Sequence, residues 1–428
     1  MKVMVVGSGG REHALAWKLA GEDCVEQLLA APGSVAIAQC AECLPVAADD
    51  VEGLVSVALE RGVDLVLVGP EQPLAAGLVD LGRERGLKVF GPGRDGAQLE
   101  SSKAFTKTLL DEAGVATARW GEFTQVAPAR AFAEELGLPV VVKADGLAAG
   151  KGVVICEDAE QVDEALVSML EGGRFGEAGA RVVVEEFMCG EELSFIALTD
   201  GRTVLPLATS QDHKAVFDGD KGPNTGGMGA YSPAPVCDQA MQALLLSDVL
   251  EPTVAALAAR GIDYRGVLYA GIMVTDEGPK VLEYNVRFGD PECQPLMMRM
   301  RGSLAEAALA CVEGTLERVR LDWADDAAAC VVMTAPGYPG EYSKGDVIEG
   351  IAAANDLDGV KVFEAGTSRD DDGRVVSSGG RVLGVTATGG NIAAALHGAY
   401  SAVSAISWPG AHYRRDIGHR ALDSGASG

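Results

Sequence analysis

Basic residues are scarce in this chain: 35 lysines and arginines stand against 62 aspartates and glutamates, a net charge of -27 over 428 residues. Affinity for nucleic-acid backbones and anionic lipid comes mainly from Lys and Arg, so no nucleic-acid or membrane partner is expected. A small anionic metabolite can still be held by a local cluster. Aromatic residues are also few, at 5%, yet 48% of the residues are apolar. That is enough for packed cores beneath an acidic skin, and too much for a disordered acidic chain.

Patterned cysteines are missing as well. The nine cysteines are scattered and odd in number, which favours reduced thiols and a cytoplasmic location. Cys40 and Cys43 form a C-x-x-C without a second pair or a histidine cluster, so zinc and redox chemistry have no support. The opening apolar run, Lys2 to Val6, is broken by Gly7, and neither a signal peptide nor a membrane span is expected. At this length one core does not suffice, and about three domains are expected.

What is present begins with a short strand, Lys2 to Val6, then Gly7-Ser8-Gly9-Gly10-Arg11-Glu12-His13 and an amphipathic helix over 14–20. Glycines at a strand-to-helix turn let backbone amides approach a phosphate at the positive helix end. A dinucleotide site is disfavoured, because Glu12 replaces the third glycine of G-x-G-x-x-G and no acidic residue ends the second strand near Leu28 to Ala31. A smaller phosphate remains, with Arg11 as a candidate ligand. Further strand and turn units follow, at Asp64 to Val68 with Gly69-Pro70-Glu71 and at Val89 to Pro92, and argue for a parallel sheet with ligands at its carboxyl ends. Glu71 lies at such an end, although a lone turn carboxylate more often caps a helix.

Lys103 opens a helix, and the strand Leu138 to Asp145 carries Lys143 into the glycine-rich stretch Gly146 to Gly152, which holds Lys151. A strand ending in lysine, then a glycine-rich hairpin with a second lysine, can cover and neutralise a triphosphate. Gly152 follows Lys151 where a Walker motif needs Ser or Thr, so a P-loop enzyme is disfavoured. Downstream, Tyr269 to Val274 and Lys280 to Tyr284 read as a hairpin. Alternation along the strand puts Glu283, Asn285 and Arg287 on one face. A carboxylate and an amide oxygen at i and i+2 suit Mg²⁺, which takes one or two protein ligands and completes its shell with water and phosphates. Arg287 can hold a carboxylate or phosphate beside it.

Lysine, glycine-rich loop, the strand-linker Arg181 to Met188 with Glu192, and the Glu283 and Asn285 pair, in this order, resemble the nucleotide site of the ATP-grasp superfamily. Within it, Gly9-Gly10-Arg11-Glu12-His13, Gly69-Pro70-Glu71, Ser210 to Lys214, Gly222 to Gly229 and Arg287-Phe288-Gly289-Asp290-Pro291-Glu292 resemble the phosphoribosylamine–glycine ligase family. The tail, with Gly337 to Gly340, Gly379 to Leu383 and Tyr413 to Gly418, resembles that family's terminal domain. Ala215 stands where the family leads one to expect Arg, and Glu364 where one expects His.

The resemblance implies an α/β and α+β multidomain fold. It consists of an amino-terminal parallel-sheet (Rossmann-like) domain over 1–102, a central ATP-grasp domain over 103–320 with a lid at about 120–190, and a small α+β closing domain over 321–428. It implies ATP with Mg²⁺ or Mn²⁺, and ligation of glycine to 5-phosphoribosylamine by a monomer or weak homodimer. ATP is expected on Lys103, Lys143, Lys151, Glu185, Glu186, Phe187, Met188, Glu192 and Lys214. The metal is expected on Glu283 and Asn285. Substrates are expected on Gly9, Gly10, Arg11, Glu12, His13, Pro70, Glu71, Asp212, Arg287, Gly289, Asp290 and Pro291, with Arg287, Asp290 and Asp212 acting in catalysis. His213 could be a general base or an ordinary loop residue. Another ATP-grasp ligase or carboxylase should lack the Gly9 to His13 stretch paired with Arg287 to Glu292. A sensing module without catalysis has little need of a metal pair with three lysines.

Overall fold

The computed structural model describes residues 1–147, 152–172 and 180–425. Its first strands are β1 (Lys2–Gly7), β2 (Gln27–Pro32), β3 (Glu42–Cys43), β4 (Leu65–Val68) and β5 (Val89–Phe90). They form a parallel sheet of order β3-β2-β1-β4-β5. Both faces are covered, so β1 reads as a continuous apolar run. Val3 and Val5 point into one core while Met4 and Val6 point into another, as a period of two requires.

The next unit is a small antiparallel sheet of β6 (Trp120–Phe123), β7 (Val140–Ala144), β8 (Val153–Cys156) and β9 (Val182–Glu186). It has its own core, built on Val140, Val142, Leu166 and Val184. Beyond it come β10 (Glu191–Thr199), β11 (Val204–Pro206), β12 (Gln211–Asp212), β13 (Ala215–Phe217), β14 (Lys221–Asn224), β15 (Gly229–Ser232), β16 (Gly266–Thr275) and β17 (Gly278–Asn285). The antiparallel sheet β11-β10-β16-β17 shares its cores with the amino-terminal sheet, since Phe195 and Leu268 pack with Met4 and Val6. Among the described residues, one helical stretch, Gln239–Ala259, is long and apolar enough by composition to cross a membrane; it packs Leu245, Val249, Leu250 and Leu257 into this shared core.

The last strands are β18 (Ala327–Thr334), β19 (Val360–Glu364), β20 (Thr367–Arg369), β21 (Val375–Ser377) and β22 (Arg381–Gly389), with the helix Ile392–Ala405. The main sheet here has the order β12-β15-β18-β22-β19, so two strands from the central part of the chain complete the carboxy-terminal sheet. The architecture is thus a parallel α/β sheet, a central pair of antiparallel sheets and a carboxy-terminal α+β unit.

Candidate active site

A cavity of about 630 Å³ opens between these units. Its nucleotide-sized end is built where the helix Lys103–Ala113 faces β7, β9 and β17. The helix starts at Lys103 because Ser102 caps it, accepting from the Phe105 amide. Asp145, at the end of β7, accepts from the Ser102 hydroxyl and the Ala104 amide and pins that helix start. Lys103 Nζ donates to the Gly146 carbonyl at 3.0 Å, and burial holds its pKa below the usual lysine range.

Glu185 is buried at 2% exposure with Lys143 Nζ 2.9 Å from one carboxylate oxygen and Lys107 Nζ 2.9 Å from the other. Burial lowers Lys107 to about 8, with Glu185 opposing the shift. Lys107 also donates to the Thr117 hydroxyl, which donates to the Val281 carbonyl of β17. Glu186, Phe187, Met188 and Glu192 line the same end with Ile155 and Met273. Lys214 Nζ stands 3.2 Å from Glu192 and 3.4 Å from Glu283. These carboxylates and Asp212 raise its pKa against the effect of burial.

Glu283 and Asn285 both line the cavity. A bulge in β17, where Gly271 pairs Glu283 but Ile272 pairs Val281, leaves Leu282 as the extra residue and sets the face that Glu283 presents. Lys214 foremost, with Lys143 and Lys103, lowers the Glu283 carboxyl to about 2, and burial opposes the shift only in part. An ionised carboxylate and an amide oxygen beside three lysines fit a hydrated divalent cation that shares phosphate ligands. They do not form a closed protein cage, and no cluster of three or more His, Cys, Asp or Glu suited to a metal occurs among the described residues.

The far end holds Arg11, Pro70, Glu71, Asp212, Arg287, Gly289 and Asp290. Arg287 lies beyond the end of β17, where Nη2 donates to Glu100 at 2.7 Å and Nε to Glu71 at 3.4 Å. Burial opposes ionisation of Glu71, but Arg287 and Arg11 outweigh it and its pKa falls. Burial raises Glu100 in spite of Arg287. Arg11 donates to Glu12 and, through Nη1, to the Phe288 carbonyl. Asp290 accepts from Gln294 at 2.9 Å and pairs with Arg381 at 3.3 Å. Asp212, on β12, makes no side-chain hydrogen bond among the described residues; burial pushes its carboxyl up to about 8 against the pull of Lys214.

Several expected ligands are turned elsewhere. The first helix begins at Gly10 rather than near Ala14, because Glu12 reaches back to the Gly9 amide at 2.7 Å and closes the first turn. Glu12 is therefore a helix cap and the partner of Arg11, not part of the cavity wall. Gly10 packs where a Cβ would stand 3.4 Å from the Ala365 Cβ, and His13 accepts from the Glu364 amide; both face the carboxy-terminal unit. Gly9 lies next to Asp290, and Pro291 packs against Gly227. His213 is also buried outside the cavity lining, with Nε2 accepting from the Gly418 amide, and burial lowers it to about 3. Lys151 lies outside the described residues. Lys107, Glu100, Glu292, Tyr338 and Arg381 line the cavity without having been singled out from the sequence. Lys107, one turn after Lys103, and Arg381, in a quoted motif, were within reach of the spacing.

Three family descriptions match in order: the phosphoribosylglycinamide synthetase N domain over residues 1–100, its ATP-grasp (A) domain over 101–293 and its C domain over 328–420. The phosphoribosylamine–glycine ligase of Allochromatium vinosum is 54% identical over 425 residues, covering 99% of each chain. That of Brucella melitensis is 51% identical over 423 residues, again 99% of each. The crystal structure of the Thermotoga maritima phosphoribosylamine–glycine ligase superposes with a TM-score of 0.84 at 31% identity, covering 97% of this chain and all of that one. A biotin carboxylase from Campylobacter jejuni shares the fold at a TM-score of 0.75 and 15% identity, over 96% of this chain and 93% of its own.

Proposed function

This chain belongs to the phosphoribosylglycinamide synthetase family, and we propose on that premise that it joins glycine to 5-phospho-D-ribosylamine with cleavage of ATP to ADP and phosphate. The observation that carries the reading is a cavity with four lysines, Lys103, Lys107, Lys143 and Lys214, and the Glu283 and Asn285 pair at one end, and Arg11, Arg287 and Asp290 at the other.

A carboxylate is a poor acyl donor. Attack by a glycine carboxylate oxygen on the γ-phosphorus, with ADP leaving, gives glycyl phosphate; attack by the ribosylamine nitrogen on its carbonyl carbon then expels phosphate and leaves the amide. Phosphoryl transfer asks for positioned cations and no protein nucleophile. Lys103 and Lys143 serve the phosphates, and Lys151 is assigned with them. Backbone at Glu185 to Met188 holds the base between apolar walls, Glu192 takes the ribose hydroxyls, and Lys214 joins the phosphate cations. Glu283 and Asn285 would hold Mg²⁺, or Mn²⁺ in its place, which when bound supplies charge neutralisation at the phosphates.

Arg287 and Asp290 orient glycine, with Asp212 and Gly289 beside them. Arg11, Pro70 and Glu71 receive the phosphoribosyl group. Residues 1–102 form the substrate-phosphate domain, 103–320 the nucleotide domain and 321–428 the closing domain of a cytoplasmic monomer or weak dimer. The test is ADP release by the full chain: it should require glycine and phosphoribosylamine together at steady state. Turnover indifferent to either one overturns the assignment.

A further inference from the structure

The wall of the cavity that carries Lys214, Asn224 and Thr225 belongs to a hairpin, β13 and β14, whose outer end is held by the chain's carboxy-terminal segment. Arg414 is fully buried, at 0% exposure. Its Nε and Nη2 donate to the two carboxylate oxygens of Asp416, each at 2.8 Å, and Nη1 donates to Asp220 at 2.8 Å and to the Ala215 carbonyl at 3.1 Å. Asp416 in turn accepts from the Gly219 amide at 2.8 Å, and the Arg415 amide donates to Asp218. Asp220, at φ +54°, is the one residue other than glycine with a positive φ among the described residues. Such a conformation persists where its surroundings over-determine it.

Buried ion pairs are weak sources of net stability, because desolvation offsets their attraction. What a guanidinium with several fixed donors adds is geometry. Here the geometry is transmitted inward. Ala215, whose carbonyl Arg414 holds, follows Lys214 directly and pairs with Asn224. The Lys214 carbonyl accepts from both the amide and the hydroxyl of Thr225. Lys214 Nζ then stands between Glu192 and Glu283.

We infer that Arg414, with Asp220, is a positioning residue for the reaction: it fixes the β13–β14 hairpin so that Lys214 meets the nucleotide. The carboxy-terminal unit thereby acts on the site through a side chain that touches no substrate. The inference rests on the nucleotide reading of the cavity. The experiment measures equilibrium binding of MgADP to the full-length protein, to Asp220→Asn, to Arg414→Lys, to Lys214→Ala and to the Asp220→Asn/Lys214→Ala double variant. Asn tolerates the positive φ and is nearly isosteric, so Asp220→Asn keeps the test open if Arg414→Lys does not fold. Asp220→Asn should weaken MgADP about threefold to tenfold, and the double variant should bind no worse than Lys214→Ala alone, the non-additivity expected of residues acting as one unit. Unchanged binding in Asp220→Asn, or the same fold-loss with and without Lys214, overturns the positioning role. Failure of the unsubstituted protein to bind MgADP is a separate signature and removes the nucleotide reading itself.

Discussion

His13 Nδ1 accepts the backbone amide hydrogen of Glu364 at 2.9 Å, and its ring meets Phe363 edge-on at 5.5 Å between centroids. This contact joins the first helix to β19. A second histidine closes the same unit from the other side, where His213 Nε2 accepts from the Gly418 amide at 3.2 Å. Both contacts require an unprotonated ring nitrogen. Burial and then Lys361 lower His13 to about 4, and burial with Arg414 and Arg420 lowers His213 to about 3, both from 6.5.

Between pH 6.5 and about 4 the unfolded chain binds protons that the folded chain refuses, so stability is lost as pH falls through that window. Each histidine contributes up to about 1.4 kcal/mol per pH unit there. Thermal melts between pH 7 and pH 5 should show a falling midpoint, with a shallower slope in His13→Gln, whose amide oxygen still accepts and cannot titrate. Equal slopes in the two proteins would remove His13 from the account.

Glu185 is the hub of a buried Lys107–Glu185–Lys143 group. Glu185→Gln leaves two lysines facing each other without their counter-charge, and removing one partner of a buried pair costs about 3 to 5 kcal/mol. Urea denaturation should register that loss, and nucleotide binding should weaken with it. Wild-type stability in the variant would mean that the two lysines find other partners.

Glu283→Gln is nearly isosteric and should leave the melting temperature within a few degrees of the unsubstituted protein. Turnover should fall by orders of magnitude, since a charged metal ligand is lost. Steady-state rates across a Mg²⁺ titration decide it: near-normal turnover at limiting Mg²⁺ contradicts the metal assignment.

Arg11 and Arg287 line the same end of the cavity but should fail differently. Arg11→Ala removes a charge-assisted contact to a non-reacting phosphate, so a loss of about 1.5 to 3 kcal/mol should appear mainly in phosphoribosylamine affinity. Glycine-dependent isotope scrambling in ATP, run without the amine, should survive Arg11→Ala and disappear in Arg287→Ala. Arg287→Ala also leaves Glu100 and Glu71 without their cation. Loss of ATP binding in Arg11→Ala would require another role for the amino-terminal unit.

That Lys103, Lys143, Glu283 and Asn285 share one cavity was legible because these groups sit in short runs whose chemistry is local: Lys103 at a capped helix start, Lys143 at a strand end, Glu283 and Asn285 two apart. The pairing of Arg287 with Glu100, and of Arg381 with Asp290, joins residues distant in sequence, and no local pattern announces it. At Gly9 to His13 the glycines mark the strand-to-helix turn, but the helix starts at Gly10 and not near Ala14, because Glu12 captures the Gly9 amide. At the two departures from the family pattern the backbone makes contacts that any side chain would allow, Ala215 by its carbonyl to Arg414 and Glu364 by its amide to His13, while the Glu364 carboxylate also accepts from the Thr367 hydroxyl. The crossing of β12 and β15 into the last sheet is likewise a tertiary choice, invisible to strand periodicity.

That crossing sets an order of assembly during protein synthesis. Asp212 sits on β12, which pairs with β15, and β15 pairs on its other side with β18. The ribosome delivers β12 and β15 well before β18 and β22, so until those later strands emerge the pair has an unprotected edge, and domains otherwise fold as they appear. A nascent chain interrupted before Ala327 already carries the lysines and the Glu283 and Asn285 pair, but not the strand that seats β15 and, through it, Asp212. The newborn chain thus carries these groups before it has the strand that seats Asp212 or the Arg414 segment that holds the hairpin next to Lys214.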